Sequence, residues 1–88
     1  MITGRVQGVG YRDAFCHEAE THGVTGWVRN RRDGSVEALV RGAPDAVEAM
    51  IAWARRGPGA ARVAEVRVGP PAAELDRPYA RFEILPTA

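Results

Sequence analysis

Alternation of apolar and polar residues predicts the strands of this chain. Side chains of a strand point alternately to its two faces, so a period of two marks a strand with one buried face. The pattern fits five segments: residues 2–7, 24–30, 35–41, 63–68 and a last run through Ala80, Phe82 and Ile84. Asp33-Gly34, a pair typical of tight hairpins, joins the second and third, which are therefore predicted to be antiparallel neighbours. Gly69-Pro70-Pro71 ends the fourth.

Two stretches between these strands have the period of a helix. The first is predicted over residues 12–22, with Gly23 in the position of a C-terminal cap. Its apolar stripe consists of Tyr11, Phe15 and Ala19. The second begins at Pro44, which is tolerated at the first helical position, and ends at Gly57-Pro58-Gly59. Its buried stripe is predicted to consist of Val47, Met50, Ile51 and Ala54.

The order of the elements, β-α-β-β-α-β with one extra C-terminal strand, predicts an α+β domain. Helices that each lie between strands match the split β-α-β arrangement, in which both helices cover one face of an antiparallel-dominated sheet. At 88 residues, the chain is expected to form one domain over residues 1–88 with a single two-layer core. Any active site is then expected to be shallow.

Composition excludes several classes of partner. Twelve basic residues against eleven acidic ones leave a formal net charge of +1, so no overall field is expected to attract nucleic acid or an anionic membrane. The lone cysteine, Cys16, can form neither an internal disulfide nor the basis of a metal site, which favours a reducing compartment. No stretch approaches the roughly 20 apolar residues that span a bilayer. We therefore expect a soluble, cytoplasmic monomer.

The first candidate for chemistry is the segment Gln7-Gly8-Val9-Gly10-Tyr11-Arg12, between the first strand and the first helix. Glycines at positions 8 and 10 permit backbone conformations closed to other residues, so successive N–H groups can point at one oxyanion. Arg12 adds a fork of donors beside the positive end of the helix. Position 13 is Asp instead of a third glycine, so a whole nucleotide is not expected. Alone, the segment fits a glycine-rich surface turn at least as well as a site for a small tetrahedral anion.

The second candidate is Asn30, which ends the predicted second strand. Its amide offers both a donor and an acceptor. If this strand lies beside the first, Asn30 can hold a water molecule in line with an anion bound by the glycine segment. The plainer explanation is that Asn30 helps to form the turn, a frequent role of asparagine. The neighbouring Arg29, Arg31 and Arg32 are expected to form a solvated rim.

Together, the two segments resemble the acylphosphatase family, and the resemblance extends over nearly the whole chain. Residues 4–12 are similar to the family's first signature, with Tyr11 where phenylalanine is commoner, and residues 26–30 with 33–37 are similar to its second. The resemblance implies a ferredoxin-like α/β sandwich that hydrolyses the carboxyl–phosphate bond of small acyl phosphates to a carboxylate and inorganic phosphate. It also implies that Arg12 binds the phosphate and that Asn30 positions the attacking water.

Phosphoryl transfer to water is compatible with these roles. The reaction needs charge stabilisation and an in-line nucleophile more than it needs covalent chemistry from the protein. Arg12 and the loop N–H groups are expected to supply the charge stabilisation. Asn30 is expected to hold the water nucleophile in line. Asparagine cannot take a proton at neutral pH, so a phosphate oxygen is the expected acceptor. Because the carboxylate leaving group departs without protonation, no metal or other cofactor is expected.

Two other classes remain open from the sequence. One is a non-catalytic anion-binding or regulatory module, such as the acylphosphatase-like domain of larger carbamoyl-transfer proteins. The other is an RNA-binding sheet of the same topology, which is disfavoured because the third strand has no aromatic residue to stack on bases. The family usually has several residues before its first signature, whereas only Met1, Ile2 and Thr3 precede it here. We therefore expect a frayed first strand and a gain in stability on extending it.

Overall fold

The structure, a computed structural model, describes residues 1–70 and 78–88, and within them the chain forms five strands and two helices in the predicted order. The strands are β1 (Ile2–Arg5), β2 (Thr25–Asn30), β3 (Val36–Arg41), β4 (Arg62–Val66) and β5 (Phe82–Ile84). The helices are α1 (Tyr11–Thr21) and α2 (Pro44–Arg56). The predicted ferredoxin-like α+β class with an added C-terminal strand is confirmed. The predicted break at Gly69-Pro70-Pro71 falls partly outside the described residues, because Pro71 is not among them.

The strands form one sheet in the order β4-β1-β3-β2-β5. β5 pairs parallel with β2, and the other pairs are antiparallel. The predicted hairpin of β2 and β3 is confirmed, with Asn30 opposite Val36. The conditional placement of β2 beside β1 is wrong, because β3 lies between them. β1 and β2 are each antiparallel to β3 and so run in the same direction, which brings their C-terminal ends to one edge of the sheet.

The core lies between the two helices and one face of the sheet. Its buried members from the helices are Tyr11, Phe15, Ala19, Met50, Trp53 and Ala54. The stripe predicted for α2 is displaced, since Trp53 is buried while Val47 and Ile51 are only half-buried. The ring of Trp53 contacts those of Tyr11 and Phe15, at centroid distances of 5.5 and 5.7 Å. The aromatic contact between the helices therefore determines which face of α2 is buried.

The opposite face of the sheet carries a smaller apolar cluster of Trp27, Leu39 and Tyr79. The guanidinium of Arg29 lies 4.9 Å from the ring centroid of Trp27 and 2.7 Å from a carboxylate oxygen of Glu37. The prediction that Arg29 belongs to a solvated rim is therefore wrong, because its side chain is only 16% exposed. The cause is the strand register, which places Glu37 directly opposite Arg29.

Candidate active site

The loop between β1 and α1 depends on two glycines with left-handed backbone. Gly8 has a φ of 73° and Gly10 a φ of 75°. Any other residue in this conformation costs roughly 1–2 kcal/mol, because its Cβ crowds the following carbonyl. A Cβ at either position would have no atom within 4 Å other than those of the adjacent residues. Glycine is therefore required for its backbone conformation and not for lack of space. These glycines direct the chain into α1 as the sequence predicts.

The backbone N–H donors of this loop have no partner among residues 1–70 and 78–88. In the described part of the chain, no N–H group of residues 8–13 donates to a backbone carbonyl or side chain, and the first helical bond runs from the N–H of Ala14 to the oxygen of Gly10 at 3.1 Å. Gly10, the N-cap of α1, has no side chain to cap the helix. Unpaired N–H groups and the positive end of a helix dipole together favour an anion.

These donors border a small polar pocket of about 190 Å³. Of the seven candidate site residues, six line it: Gln7, Gly8, Gly10, Tyr11, Arg12 and Asn30. The seventh, Val9, packs against the hydrophobic core instead. Val6 and Asp13 complete the lining. Although β2 is not the neighbour of β1, the common direction of the two strands brings Asn30 to the same pocket as the loop.

Arg12 and Asn30 both carry polar groups that the described residues leave without partners. Arg12 forms no hydrogen bond or ion pair there, not even with the adjacent Asp13, which lies in the first turn of α1. The side-chain oxygen Oδ1 of Asn30 is buried and accepts no hydrogen bond from any described residue. Buried acceptors are normally satisfied by protein or water, so this oxygen is suited to accept a hydrogen bond from a molecule in the pocket.

The side chain of Gln7 fixes the loop against the β2–β3 hairpin. Its Nε2 donates to the carbonyl oxygens of Arg31 at 2.7 Å and Ser35 at 2.8 Å. The end of β2 is held separately, because the N–H of Ala88 donates to the oxygen of Asn30 at 3.0 Å. Sequence reasoning missed both connections. The only local signal was a polar side chain between buried Val6 and the glycines.

Replacing Gln7 with leucine should lower the free energy of unfolding by about 1–2 kcal/mol, since two side-chain hydrogen bonds are lost. We also expect KM for an acyl phosphate, the substrate that the sequence resemblance implies, to rise, because the loop is no longer tied to the strand that carries Asn30. Urea denaturation and steady-state kinetics measure the two effects. In Gln7→Glu the carboxylate would face two carbonyl oxygens, so this variant should be less stable than the leucine variant. Equal stability of Gln7→Glu and the unmodified protein would contradict the donor role.

The side chain of Tyr11 belongs to the core. Its ring is buried, and its hydroxyl donates to the carbonyl oxygen of Ala54 in the last turn of α2 at 2.7 Å. Burial raises the pKa of this phenol well above its ordinary value. Tyr11 thus links the start of α1 to the end of α2, and its hydroxyl serves packing while its backbone borders the pocket.

Tyr11→Phe should lower the free energy of unfolding by about 1 kcal/mol near neutral pH, because one hydrogen bond is lost. Since the folded state raises the pKa of Tyr11, its phenol contributes a stability that is complete below the unfolded pKa of about 10 and is lost as the pH rises above it. Denaturant unfolding on both sides of this pH should show a steeper alkaline loss in the unmodified protein than in Tyr11→Phe. If the two proteins lost stability in parallel as the pH rises, Tyr11 would be excluded as the source of the alkaline loss of stability.

Other reactive groups do not assemble into a second centre in the described residues. Burial raises the pKa of the Cys16 thiol, an effect reinforced by Glu20 and Asp13, so the reactive thiolate is disfavoured. Residues 1–70 and 78–88 contain no cluster of three His, Cys, Asp or Glu side chains suited to a metal ion. No described helix has the length and apolar character needed to cross a bilayer.

Fold and pocket together define a ferredoxin-like domain with an anion-sized polar pocket at the N-terminus of its first helix. A sequence model of the acylphosphatase family matches residues 1–84. The acylphosphatase of Nitrobacter hamburgensis is 58% identical over 99% of this chain and 91% of its own length. That of Azoarcus sp. is 57% identical over 98% of this chain and 85% of its own.

Solved structures agree with the sequence matches. The crystal structure of acylphosphatase from Bacillus subtilis has a TM-score of 0.85 at 34% identity, over 96% of this chain and 91% of that one. Full-length HypF in its phosphate- and nucleotide-bound form has a TM-score of 0.81 at 27% identity, over 98% of this chain but 11% of that one. The chain belongs to the acylphosphatase family, and its activity is hydrolysis of the carboxyl–phosphate bond of acyl phosphates.

Proposed function

We propose that Arg12 and the N–H groups of residues 8–12 bind the phosphoryl group of the substrate and that Asn30 orients the attacking water. The observation that carries this proposal is the buried Oδ1 of Asn30, which has no partner among the described residues and borders the same pocket as Arg12. A water molecule between this oxygen and a bound phosphoryl group would satisfy the acceptor. The loop N–H groups and the guanidinium of Arg12 would offset the negative charge of the phosphoryl group.

In the proposed reaction, the oxygen of this water forms a bond to phosphorus as the bond from phosphorus to the acyl oxygen breaks. The electron pair of the broken bond leaves with the carboxylate, which needs no proton. A proton of the water passes to a phosphoryl oxygen, so the products are a carboxylate and inorganic phosphate. The protein contributes position and charge: Arg12 and the loop N–H groups hold the equatorial oxygens, while Asn30 aligns the water with the breaking bond.

The alternative of a non-catalytic anion-binding module is less well supported. The similarity to HypF extends over only 11% of that chain, whereas the relatives named acylphosphatase are matched over most of their length. The unused donors around the pocket are suited to a bound phosphoryl group in either class. Turnover of an acyl phosphate therefore distinguishes an enzyme from a non-catalytic anion-binding module.

Hydrolysis of benzoyl phosphate, followed in a buffer that contains a metal chelator, tests the proposed function. We expect turnover under these conditions and competitive inhibition by inorganic phosphate, because substrate and product share the Arg12 site. Absence of turnover in chelator, with activity restored by an added divalent metal, would contradict the mechanism. The variants that assign Arg12 and Asn30 are treated in the Discussion.

We also propose that residues 1–88 act as a single-domain cytoplasmic monomer without nucleic-acid or membrane partners. The lone Cys16 and the formal net charge of +1 support this assignment. Its small-molecule substrate and the inorganic phosphate product account for the polar pocket without a macromolecular partner.

A further inference from the structure

The Glu37 cluster consists of Arg29, Arg31 and Glu37 and lies on the face of the sheet that carries Trp27, opposite the helices. One carboxylate oxygen of Glu37, Oε1, accepts hydrogen bonds from Nε of Arg29 at 2.8 Å and from Nη1 of Arg31 at 3.2 Å. Because the side chain of Glu37 is only 20% exposed, solvent screens these contacts less than it screens a fully exposed pair. The cluster therefore joins both arginines to β3.

The two arginines are the chain neighbours of Asn30. Side chains of a strand alternate between its faces, so Arg29 and Arg31 share the outer face while Asn30 points the other way and lines the small polar pocket. Glu37 follows Val36, the residue that pairs with Asn30 across the hairpin. One oxygen atom on β3 thus holds the residues before and after Asn30 from the opposite face of the sheet.

The side chain of Asn30 has no hydrogen bond of its own to fix its direction, because none of the described residues pairs with its amide. Its backbone is held by pairing with Val36 and by the N–H of Ala88. Those bonds fix where Asn30 lies, whereas the local twist of β2 determines where its side chain points. Asn30 is the last residue of β2, and the ends of an element open more easily than its centre. Contacts of the neighbouring side chains therefore matter most at this position.

The loop between β1 and α1 is held without the carboxylate of Glu37. Gln7 donates to the backbone carbonyls of Arg31 and Ser35, and the N–H of Arg31 donates to the oxygen of Ser35 at 2.8 Å. None of these bonds uses a side chain of the Glu37 cluster. Glu37 itself does not line the polar pocket. Loss of its carboxylate should therefore disturb Asn30 and leave the loop in place.

We infer that Glu37 is a positioning residue for hydrolysis, which directs the side chain of Asn30 into the pocket by holding Arg29 and Arg31 on the opposite face. Glu37 acts through Asn30 and does not touch the substrate, so the inference rests on the proposed role of Asn30 in orienting water. A misdirected amide leaves the phosphate contacts intact but places the water off the line of the breaking bond. The effect of Glu37 therefore belongs to the chemical step and not to substrate binding.

Glu37→Ala should lower kcat for benzoyl phosphate about tenfold, a smaller loss than that expected from removing the Asn30 amide itself. Affinity for inorganic phosphate should be retained, since Arg12 and the loop are undisturbed. Glu37→Gln keeps an acceptor oxygen near both arginines and should restore part of kcat. Steady-state kinetics and calorimetric titration of phosphate, both well below the thermal midpoint of each variant, measure these quantities. Equal losses of kcat and phosphate affinity in Glu37→Ala would overturn the inference.

A double-mutant cycle with Asn30→Ala tests whether Glu37 acts through Asn30. In the Asn30→Ala background, Glu37→Ala should cause no further loss of kcat, because no amide is left to direct. An equal loss of kcat in both backgrounds would show that Glu37 supports the site in another way, and the inference would be wrong.

Glu65→Ala is the matched control for the loss of an ion pair elsewhere in the sheet. Glu65 of β4 contacts Arg67 at 3.4 Å, and neither residue lines the polar pocket, so kcat should be unchanged. A loss as large as that in Glu37→Ala would contradict a specific role of Glu37. Unchanged kcat in Asn30→Ala would refute the proposed role of Asn30 and the inference with it. A loss of kcat in Asn30→Ala without one in Glu37→Ala would overturn the inference alone.

Discussion

Replacing Arg12 with alanine is expected to lower kcat/KM for benzoyl phosphate by about a thousandfold, the scale on which a single charge-stabilising donor acts in phosphoryl transfer. Arg12 lines the pocket and has no partner in the described part of the chain, so in the proposed mechanism its removal takes away the positive side chain that binds the phosphoryl group. Affinity for inorganic phosphate should fall with kcat/KM. Steady-state kinetics and calorimetric titration of phosphate measure the two losses.

Two control variants separate the role of Arg12 from a general loss of positive charge. Arg12→Lys keeps the charge but lacks the planar fork of donors, so only part of the activity should return. Arg5→Ala removes an exposed arginine of β1 that does not line the pocket and should leave the kinetics unchanged. Loss of activity in Arg5→Ala comparable to that in Arg12→Ala would show that net charge, and not the position of Arg12, is responsible.

Asn30→Ala should reduce kcat by about a hundredfold, a typical cost of misplacing a reacting group, while affinity for inorganic phosphate is retained. The substitution removes Oδ1, the proposed acceptor of the water's hydrogen bond, but leaves the loop donors and Arg12 in place. Because the backbone of Asn30 still pairs with Val36 and Ala88, the end of β2 should keep its position. Phosphate titration and single-turnover kinetics separate binding from the chemical step.

Thr25→Ala, at the opposite end of β2, is the control for a general effect on this strand and should leave kcat unchanged. Asn30→Asp gives a contrasting result, because its carboxylate accepts a hydrogen bond from water but repels the phosphoryl group. We expect this variant to lose phosphate affinity, which Asn30→Ala keeps. A large loss of phosphate affinity in Asn30→Ala would mean that Asn30 binds the anion and does not position water.

The elements of the fold were predictable because their signals are local. The alternation in β2 and β3 and the Asp33-Gly34 turn lie within a short stretch, and the structure confirms the hairpin. The order of strands in the sheet was not predictable from such patterns, since it depends on pairing between distant segments such as β1 with β4. The interpretation of Arg29 failed for a related reason: its partner Glu37 lies on another strand, and only the register brings them together.

The candidate site was predictable as a set of residues but not as an arrangement. Glycine at positions 8 and 10 and the asparagine at 30 are visible in the sequence because their chemistry is unusual. The connection of Gln7 to the hairpin and that of the Tyr11 hydroxyl to Ala54 are long-range contacts, which single-residue chemistry does not reveal. In the proposed mechanism, these contacts set the position of the loop relative to Asn30.

The position of β1 in the interior of the sheet has a consequence for biosynthesis. β1 contains residues 2–5, and most of its ladder is formed with β4, residues 62–66. Pairing between such distant segments forms slowly, because closing a long loop costs conformational entropy before any contact between the segments offsets it. On the ribosome, the strand that leads into the loop between β1 and α1 therefore emerges well before β4, its main partner. The geometry of that loop is then completed only after residues 62–66 have been translated.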